Sequence, residues 1–159
     1  MDKKVLIFLP FADQKNFRED EHPDFVITQL STSAVMDDMG KVYNYQTIPR
    51  KNVKEFIRKK VDEFGPDWII AEGNSATAIL ELKLPNSILI NPKVTAESLL
   101  NVSEKVRENS FGYFGMDHEK DYELFRSVFP NVGWYPHTEI HILRLKSTLE
   151  AIISSDEDW

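Results

Sequence analysis

The chain has 159 residues, of which 42% are hydrophobic and 28% are charged, with a formal net charge of -7 and no cysteine. This length and composition exclude collagen-like, coiled-coil and wholly disordered chains, and they predict one globular domain with a full core. The absence of cysteine excludes disulfide frameworks, thiol nucleophiles and cysteine-based zinc sites, while the acidic balance disfavours a nucleic-acid partner.

The first predicted element is a buried strand at residues 5–9. This run contains only apolar residues that favour strands, which is typical of a strand covered on both faces, and Pro10 ends it. The run is too short for a signal peptide, and no segment reaches the ~20 apolar residues of a membrane span. We therefore expect a cytoplasmic protein with no membrane partner.

The next part of the chain has weaker patterns. Residues 10–23 are mostly polar and predict a loop, and residues 25–27 predict a short strand. Residues 34–39 predict a short helix that ends at Gly40. Residues 42–48 alternate between apolar and polar side chains, which predicts a strand that Pro49 ends.

From there onward, predicted strands and helices alternate. Asn52 is expected to cap a helix with one apolar face, formed by Val53, Phe56, Ile57, Val61 and Phe64 and closed by Gly65. Further strands are predicted at 67–71, 87–90, 111–115 and 132–135, and helical segments at 76–83, 95–109, 122–129 and 142–152. This alternation predicts an α/β three-layer sandwich, a mostly parallel sheet flanked by helices. Residues 1–153 would form this domain, and residues 154–159 an acidic tail.

A short segment at residues 73–77 resembles a nucleophile elbow. It reads Gly-Asn-Ser-Ala-Thr where the motif is G-x-S-x-G, so the first glycine and the serine are present and Thr77 replaces the last glycine. In that motif a sharp strand-to-helix turn holds the serine oxygen clear of the backbone. Ser75 is therefore a candidate nucleophile; the alternative is that Asn74 or Ser75 only caps the helix.

A serine nucleophile needs a base, and the base needs a carboxylate that fixes its orientation. Asp117 and His137 each follow a predicted strand, in the Ser–Asp–His chain order of α/β-hydrolases. His141 is the alternative base, because it lies a few residues further on. In an open α/β sheet such strand ends meet at one edge, which predicts that these side chains converge.

The same segments also contain candidate residues for a metal site and for a phosphate site. His137 and His141 have the spacing of two ligands on one helical face, but Thr138 and Ile140 stand where zinc proteases place a glutamate. The turn after Gly73 could offer free amides to an anion, yet it lacks both G-x-G-x-x-G and a P-loop. We therefore expect neither a metal nor a cofactor, and a nucleotide or phosphate binder of flavodoxin-like shape is the weaker alternative.

Three stretches together resemble a known family. They are residues 67–75, 88–92, which include the distinctive pair Asn91-Pro92, and 112–132. The pattern is similar to the small single-domain α/β-hydrolases of the YqiA-type esterases, over roughly residues 66 to 152. The resemblance implies a reduced α/β-hydrolase fold without a substrate lid.

The resemblance also implies roles for individual residues. Ser75 would be the nucleophile, Asp117 the acid and either His137 or His141 the base. The oxyanion amides would come from Ala76 and from the loop after the first strand, at Phe11 or Ala12.

The implied function is hydrolysis of a carboxylic ester or thioester by a Ser-His-Asp arrangement. The expected partner is a small acyl ester or thioester, and homodimerisation is left open. Pro10, which has no amide hydrogen, and Thr77 depart from the family pattern. Because these departures weaken the oxyanion loop and the elbow, the alternative is a catalytically degenerate α/β-hydrolase-like protein used for binding or assembly.

Overall fold

The computed structural model describes residues 3–9, 34–36, 41–47, 51–140 and 145–155. Over these ranges the chain forms an α/β fold around a seven-stranded sheet. The predicted strand at 25–27 and the site candidates Phe11, Ala12 and His141 lie outside the described residues.

Strands and helices alternate along most of the described chain. The strands are β1 Lys3–Leu9, β2 Ala34–Met36, β3 Lys41–Thr47, β4 Trp68–Glu72, β5 Ser87–Ile90, β6 Ser110–Phe114 and β7 Asn131–Trp134. The helices are α1 Val53–Phe64, α2 Asn74–Leu82, α3 Ala96–Leu99, α4 Glu104–Glu108, α5 Glu119–Arg126 and α6 Lys146–Ser155. The predicted alternation from residue 42 onward is therefore confirmed.

The strand order is β2-β3-β1-β4-β5-β6-β7. Neighbouring strands from β3 to β7 run parallel, and β2 pairs with β3 antiparallel. Because β1 lies between β3 and β4, the chain first moves to one side of β1 and later to the other. The carboxyl ends of β1 and β4 therefore form the topological switch point, where open α/β sheets place their ligands.

One predicted helix is wrong. Residues 34–36 form the edge strand β2, which pairs with β3 from Ala34 opposite Asn44 to Met36 opposite Val42. A run this short has no period that separates a helix from a strand, so pairing with the open edge of β3 decides its conformation.

The two faces of the sheet are covered by different helices. Successive side chains of a strand point to opposite faces, so β1 and β4 each contribute to two cores. On one face, Val5 and Ile70 belong to a cluster with Leu149 and Ile153 of α6. On the other face, the cluster combines strand residues with residues of α1, α2, α4 and α5. Helices on both faces of a mostly parallel sheet confirm the predicted layered α/β architecture.

Helix α1 follows the predicted pattern at one end only. Ile57 is fully buried, and Gly65 closes the helix with φ 62° and an N–H donated to the Val61 carbonyl oxygen. Asn52 was expected to cap the start, but it has φ 57° and makes no side-chain capping bond. An N-cap side chain reaches the first-turn amides from an extended backbone, which this left-handed conformation does not provide.

Helix α5 lies close against β6 because Gly112 has no side chain. A Cβ atom at Gly112 would stand 2.6 Å from Cε1 of Phe125. Phe125 is fully buried and stacks on Phe129 with ring centroids 4.4 Å apart. Within the described ranges, no helix combines the length and the apolar character needed to cross a membrane.

Candidate functional site

The junction between β4 and α2 is a sharp turn at the carboxyl edge. A single residue, Gly73, separates the last strand residue from the first helical residue, with φ 64° and ψ -125°. Its N–H donates to the Ile90 carbonyl oxygen at 2.9 Å, and its own carbonyl accepts from the Thr77 amide at 3.0 Å. Residues with a Cβ atom rarely adopt this conformation, so glycine allows the strand to enter the helix without a loop.

Ser75 lies inside the first turn of α2 and is fully buried. Its Oγ donates to the carbonyl oxygen of Glu72 at 2.8 Å and to that of Phe8 at 3.1 Å. A hydroxyl has one hydrogen, so the two carbonyls share it. The Ser75 hydroxyl thus faces backbone oxygens, and it fastens the start of α2 to the carboxyl end of β1.

The spacing around Gly73 reproduces the elbow pattern in a different register. Ala71 and Ser75 lie two residues before and after Gly73, and both are fully buried, as the small residues that flank an elbow must be. The sequence predicts a turn at residues 73–75, with Ser75 on it. In the structure α2 already begins at Asn74, so Ser75 lies in the helix. A glycine directly after a buried strand was the signal for the other register.

The predicted oxyanion residue Ala76 also lies in the first turn of α2, and it too is fully buried. With Gly73 on the turn, the amide that directly follows the turn residue is that of Asn74, which is exposed. In an elbow, the oxyanion donor is the amide after the nucleophile. The counterpart of that donor is therefore the Asn74 amide.

Asp117 is exposed in the turn between β6 and α5 and has φ 74°. The neighbouring His118 places Nδ1 3.9 Å from Oδ2 of Asp121. The other carboxylate oxygen of Asp121 accepts the Val94 amide at 2.9 Å. Within the described residues, the carboxylate that lies near an imidazole is therefore that of Asp121.

His137 is exposed in the turn that follows β7. The loops after β6 and β7 are joined, because the Met116 amide donates to the Thr138 carbonyl oxygen at 2.8 Å. Asp117 and His137 thus lie in adjacent loops, yet no ion pair joins them within the described part of the chain. Ser75 contacts neither of them through its hydroxyl.

Asn91 holds the loops of the carboxyl edge together. Its side-chain nitrogen Nδ2 donates to the Ile140 carbonyl oxygen at 3.0 Å, and Oδ1 accepts the Gly115 amide at 2.9 Å. Its backbone has φ 52°, a conformation that asparagine tolerates better than most residues. The Asn-Pro pair that stood out in the sequence therefore has a structural role in the described fold.

A cleft opens between α1 and α2 beside Gly73. Its volume is about 430 Å³, and its walls are Asn52, Val53, Lys54, Glu55, Asn74, Thr77, Ala78 and Glu81. Lys54 Nζ lies 3.0 Å from Oε1 of Glu81, whose other oxygen accepts the Thr95 hydroxyl at 3.1 Å. We call this the α1–α2 cleft. Its size falls in the range of small-molecule sites, and the sequence pattern did not predict it.

The described residues contain no group of three or more histidine, aspartate and glutamate side chains placed to hold a metal ion. The chain matches no known family model, no curated protein and no solved structure. The geometry of the carboxyl edge is therefore the basis on which a function is proposed.

Proposed function

We propose that this protein is a non-catalytic binding protein whose scaffold is a reduced α/β-hydrolase-like sheet. The observation that carries the proposal is the glycine on the strand-to-helix turn. Gly73 occupies the position at which an elbow presents its nucleophile, and a glycine has no side chain to present.

The surroundings of Ser75 support the same conclusion. A serine acts as a nucleophile when its oxygen reaches the substrate and its proton passes to a base within about 3 Å. The Ser75 oxygen is fully buried, and its proton is shared by the Phe8 and Glu72 carbonyl oxygens. A backbone carbonyl accepts a hydrogen bond but is too weak a base to remove the proton. This arrangement therefore stabilises the fold and does not activate the hydroxyl.

The α1–α2 cleft is the expected binding site. It lies at the carboxyl edge of the sheet, beside the turn at Gly73, which is the region where open α/β sheets bind ligands. Lys54 and Glu81 are paired across it, and the exposed side chains of Asn52 and Asn74 add amide groups at its walls. Val53 and Ala78 add apolar surface, so these walls fit a small molecule that combines an apolar part with polar groups.

Two assays test the proposal. The first compares hydrolysis of p-nitrophenyl acetate and of an acyl thioester by the wild type, by Ser75→Ala and by Gly73→Ala. We expect all three to match the uncatalysed rate. Wild-type turnover that disappears in Ser75→Ala would refute the proposal and support a serine hydrolase instead.

The second assay concerns binding. A library of small metabolites that carry both apolar and polar groups is screened by thermal shift, and each compound that raises the melting temperature is titrated by calorimetry. The variant Asn74→Trp places a large side chain in the cleft wall, and Lys59→Trp places the same side chain on an exposed part of α1 outside it. We expect Asn74→Trp to lose binding and Lys59→Trp to retain it. Equal binding by both variants would exclude the α1–α2 cleft as the site.

A further inference from the structure

Strand β7 forms one edge of the sheet. It pairs with β6, and within the described residues no strand lies on its other side. The residues after β7 lead back over the sheet, because Thr138 bonds to Met116 and Ile140 bonds to Asn91. No strand of the described chain therefore pairs with the outer side of β7.

The hydrogen bonds of β7 fix which residues point outward. In a strand, the N–H and C=O of one residue point to one side, and those of the next residue point to the other. Tyr135 donates its amide to the Phe114 carbonyl oxygen of β6 at 2.8 Å, so Gly133 also faces β6. Val132 and Trp134 therefore direct their N–H and C=O groups away from the sheet.

Two prolines flank the backbone groups that β7 directs away from the sheet. Pro130 and Pro136 lie two residues before Val132 and two residues after Trp134, so their backbone groups face the same outer side. Both prolines are exposed. Proline has no N–H, so this outer side offers donors at Val132 and Trp134 alone. The prolines and the donors are arranged symmetrically about Gly133.

We propose that β7 pairs antiparallel with β7 of a second copy of this chain, with the two-fold axis at Gly133. Val132 then lies opposite Trp134 of the partner subunit, and Trp134 lies opposite Val132 of the partner subunit. Each of these is a hydrogen-bonded pair that exchanges two N–H to C=O bonds, which gives four bonds and one sheet running through both subunits. The two Gly133 residues meet between them, where Cα atoms approach to ~4.5 Å.

Register favours a second copy as the occupant, and the strand itself brings no charged side chain to the contact. Residues 130–136 contain no charged residue, so β7 adds no like-charge repulsion at the interface to that of the net charge of -7 on each copy. In the symmetric register both donors meet a carbonyl, and proline lies opposite proline. A slip of two residues would place a proline opposite a donor-bearing residue and lose hydrogen bonds, so the prolines select this register.

The aromatic packing around β7 prepares the strand for this contact. The Trp134 ring stacks on Tyr122 of α5, with centroids 4.9 Å apart and the planes 6° from parallel. In the dimer, Trp134 would meet Val132 of the partner subunit on the same face, and an aromatic residue opposite a β-branched residue is a favourable cross-strand pair. The interface is independent of whether the α1–α2 cleft binds a ligand.

Sedimentation equilibrium tests the association. The chain has a mass of 18.5 kDa, and we expect the wild type to sediment at twice that mass. Val132→Pro removes an outward donor and leaves the ladder to β6 intact, so this variant should sediment as a monomer. Val132→Ala is the matched control, because it trims the same side chain and keeps the donor, and it should remain dimeric. Circular dichroism checks that both variants are folded.

Amide hydrogen exchange of the wild type tests the contact itself, whatever the fate of the variants. The amides of Val132 and Trp134 should exchange at least about tenfold more slowly in concentrated than in dilute samples, because dimerisation buries them. The amides of Gly133 and Tyr135 face β6 and should be protected at both concentrations. A wild type that is monomeric, or a dimer in which the Val132 and Trp134 amides exchange freely, would overturn the proposal.

Discussion

The hydroxyl of Ser75 donates to the carbonyl oxygen of Phe8, 3.1 Å away and 67 positions earlier in the chain. This bond joins the first turn of α2 to the carboxyl end of β1, at the switch point of the sheet. A serine that the sequence marks as a candidate nucleophile therefore links the two elements that meet at the switch point. The fold depends on that hydroxyl, and its removal should be measurable as a loss of stability.

We expect Ser75→Ala to lower the free energy of unfolding by ~1–3 kcal/mol, because it removes the buried hydrogen bond that joins α2 to β1. Urea denaturation measures the change. Ser87→Ala is the matched control: Ser87 is equally buried, but its hydroxyl bonds only to Leu84, three residues away. The control should cost less, since it breaks no contact between β1 and α2. A Ser75→Ala variant as stable as the wild type would show that the bond contributes nothing.

Asn91→Asp should destabilise the loops of the carboxyl edge. The substitution keeps an oxygen for the Gly115 amide but replaces the donor to Ile140 with an acceptor, which we expect to cost ~1–3 kcal/mol. The Met116 amide, which bonds to Thr138 in the same loop pair, should then exchange faster with solvent.

The control for this substitution is Asn109→Asp. Asn109 donates its side-chain N–H to the Lys105 carbonyl oxygen at 2.8 Å, near the end of α4 and in contact with solvent. Water can replace that bond, so the control should change stability by under about 0.5 kcal/mol. Equal losses at the two positions would contradict the role assigned to Asn91.

Gly112→Ala should destabilise the contact between β6 and α5 by ~1–3 kcal/mol, since the new Cβ would overlap the Phe125 ring. A double-mutant cycle with Phe125→Leu measures the coupling. The smaller leucine makes room for the methyl group, so the double variant should lose less than the sum of the single variants. Gly65→Ala serves as the control, because no atom lies within 4 Å of its Cβ position and only its positive φ opposes the change. Additive losses for Gly112 and Phe125 would rule out this steric explanation.

We expect the free energy of unfolding to fall at alkaline pH because of the Tyr113 phenol. Burial, and then the neighbouring Tyr135, raise the pKa of the Tyr113 phenol above its ordinary value of 10.0. The folded state therefore holds this proton more tightly than the unfolded state does. The protonated phenol makes its full contribution to the free energy of unfolding below the pKa of the unfolded state. This contribution is lost as the pH rises through the pKa of the folded state.

Urea unfolding in a series of buffers from neutral pH to beyond about pH 10 measures this loss. Tyr113→Phe has no proton to release, so its stability should decline less steeply over the same interval. Parallel curves for the two proteins would mean that another group controls the alkaline transition.

The sequence predicts most of the layered fold because its central strands are unambiguous. Residues 69–71 and 88–90 are continuous apolar runs, and both are buried at the middle of the sheet. The edge strand β2 carries no such signal: its three apolar residues fit a helix or a strand, and the sequence at 34–39 predicts a helix. Pairing with β3 decides its conformation, and that contact is not visible locally in the sequence.

The candidate site shows the same division between local and long-range information. The elbow spacing is visible in the sequence, but its register depends on whether the helix starts at Asn74 or later. The partner of the Ser75 hydroxyl lies in β1, and no local pattern identifies it. The proximity of His118 to Asp121 is not predicted either, because Asp121 lies inside α5 and not at the end of a strand.

The most direct test of the central claim is labelling of the folded protein with a fluorophosphonate, followed by peptide mass spectrometry. Such a probe forms a covalent adduct with an activated serine oxygen and requires that oxygen to be accessible. A binding protein with glycine on the turn and a buried Ser75 should give no adduct at residues 73–77, with a labelled serine esterase as the positive control. A stoichiometric adduct on Ser75 in the folded wild type, absent from Ser75→Ala, would contradict the account.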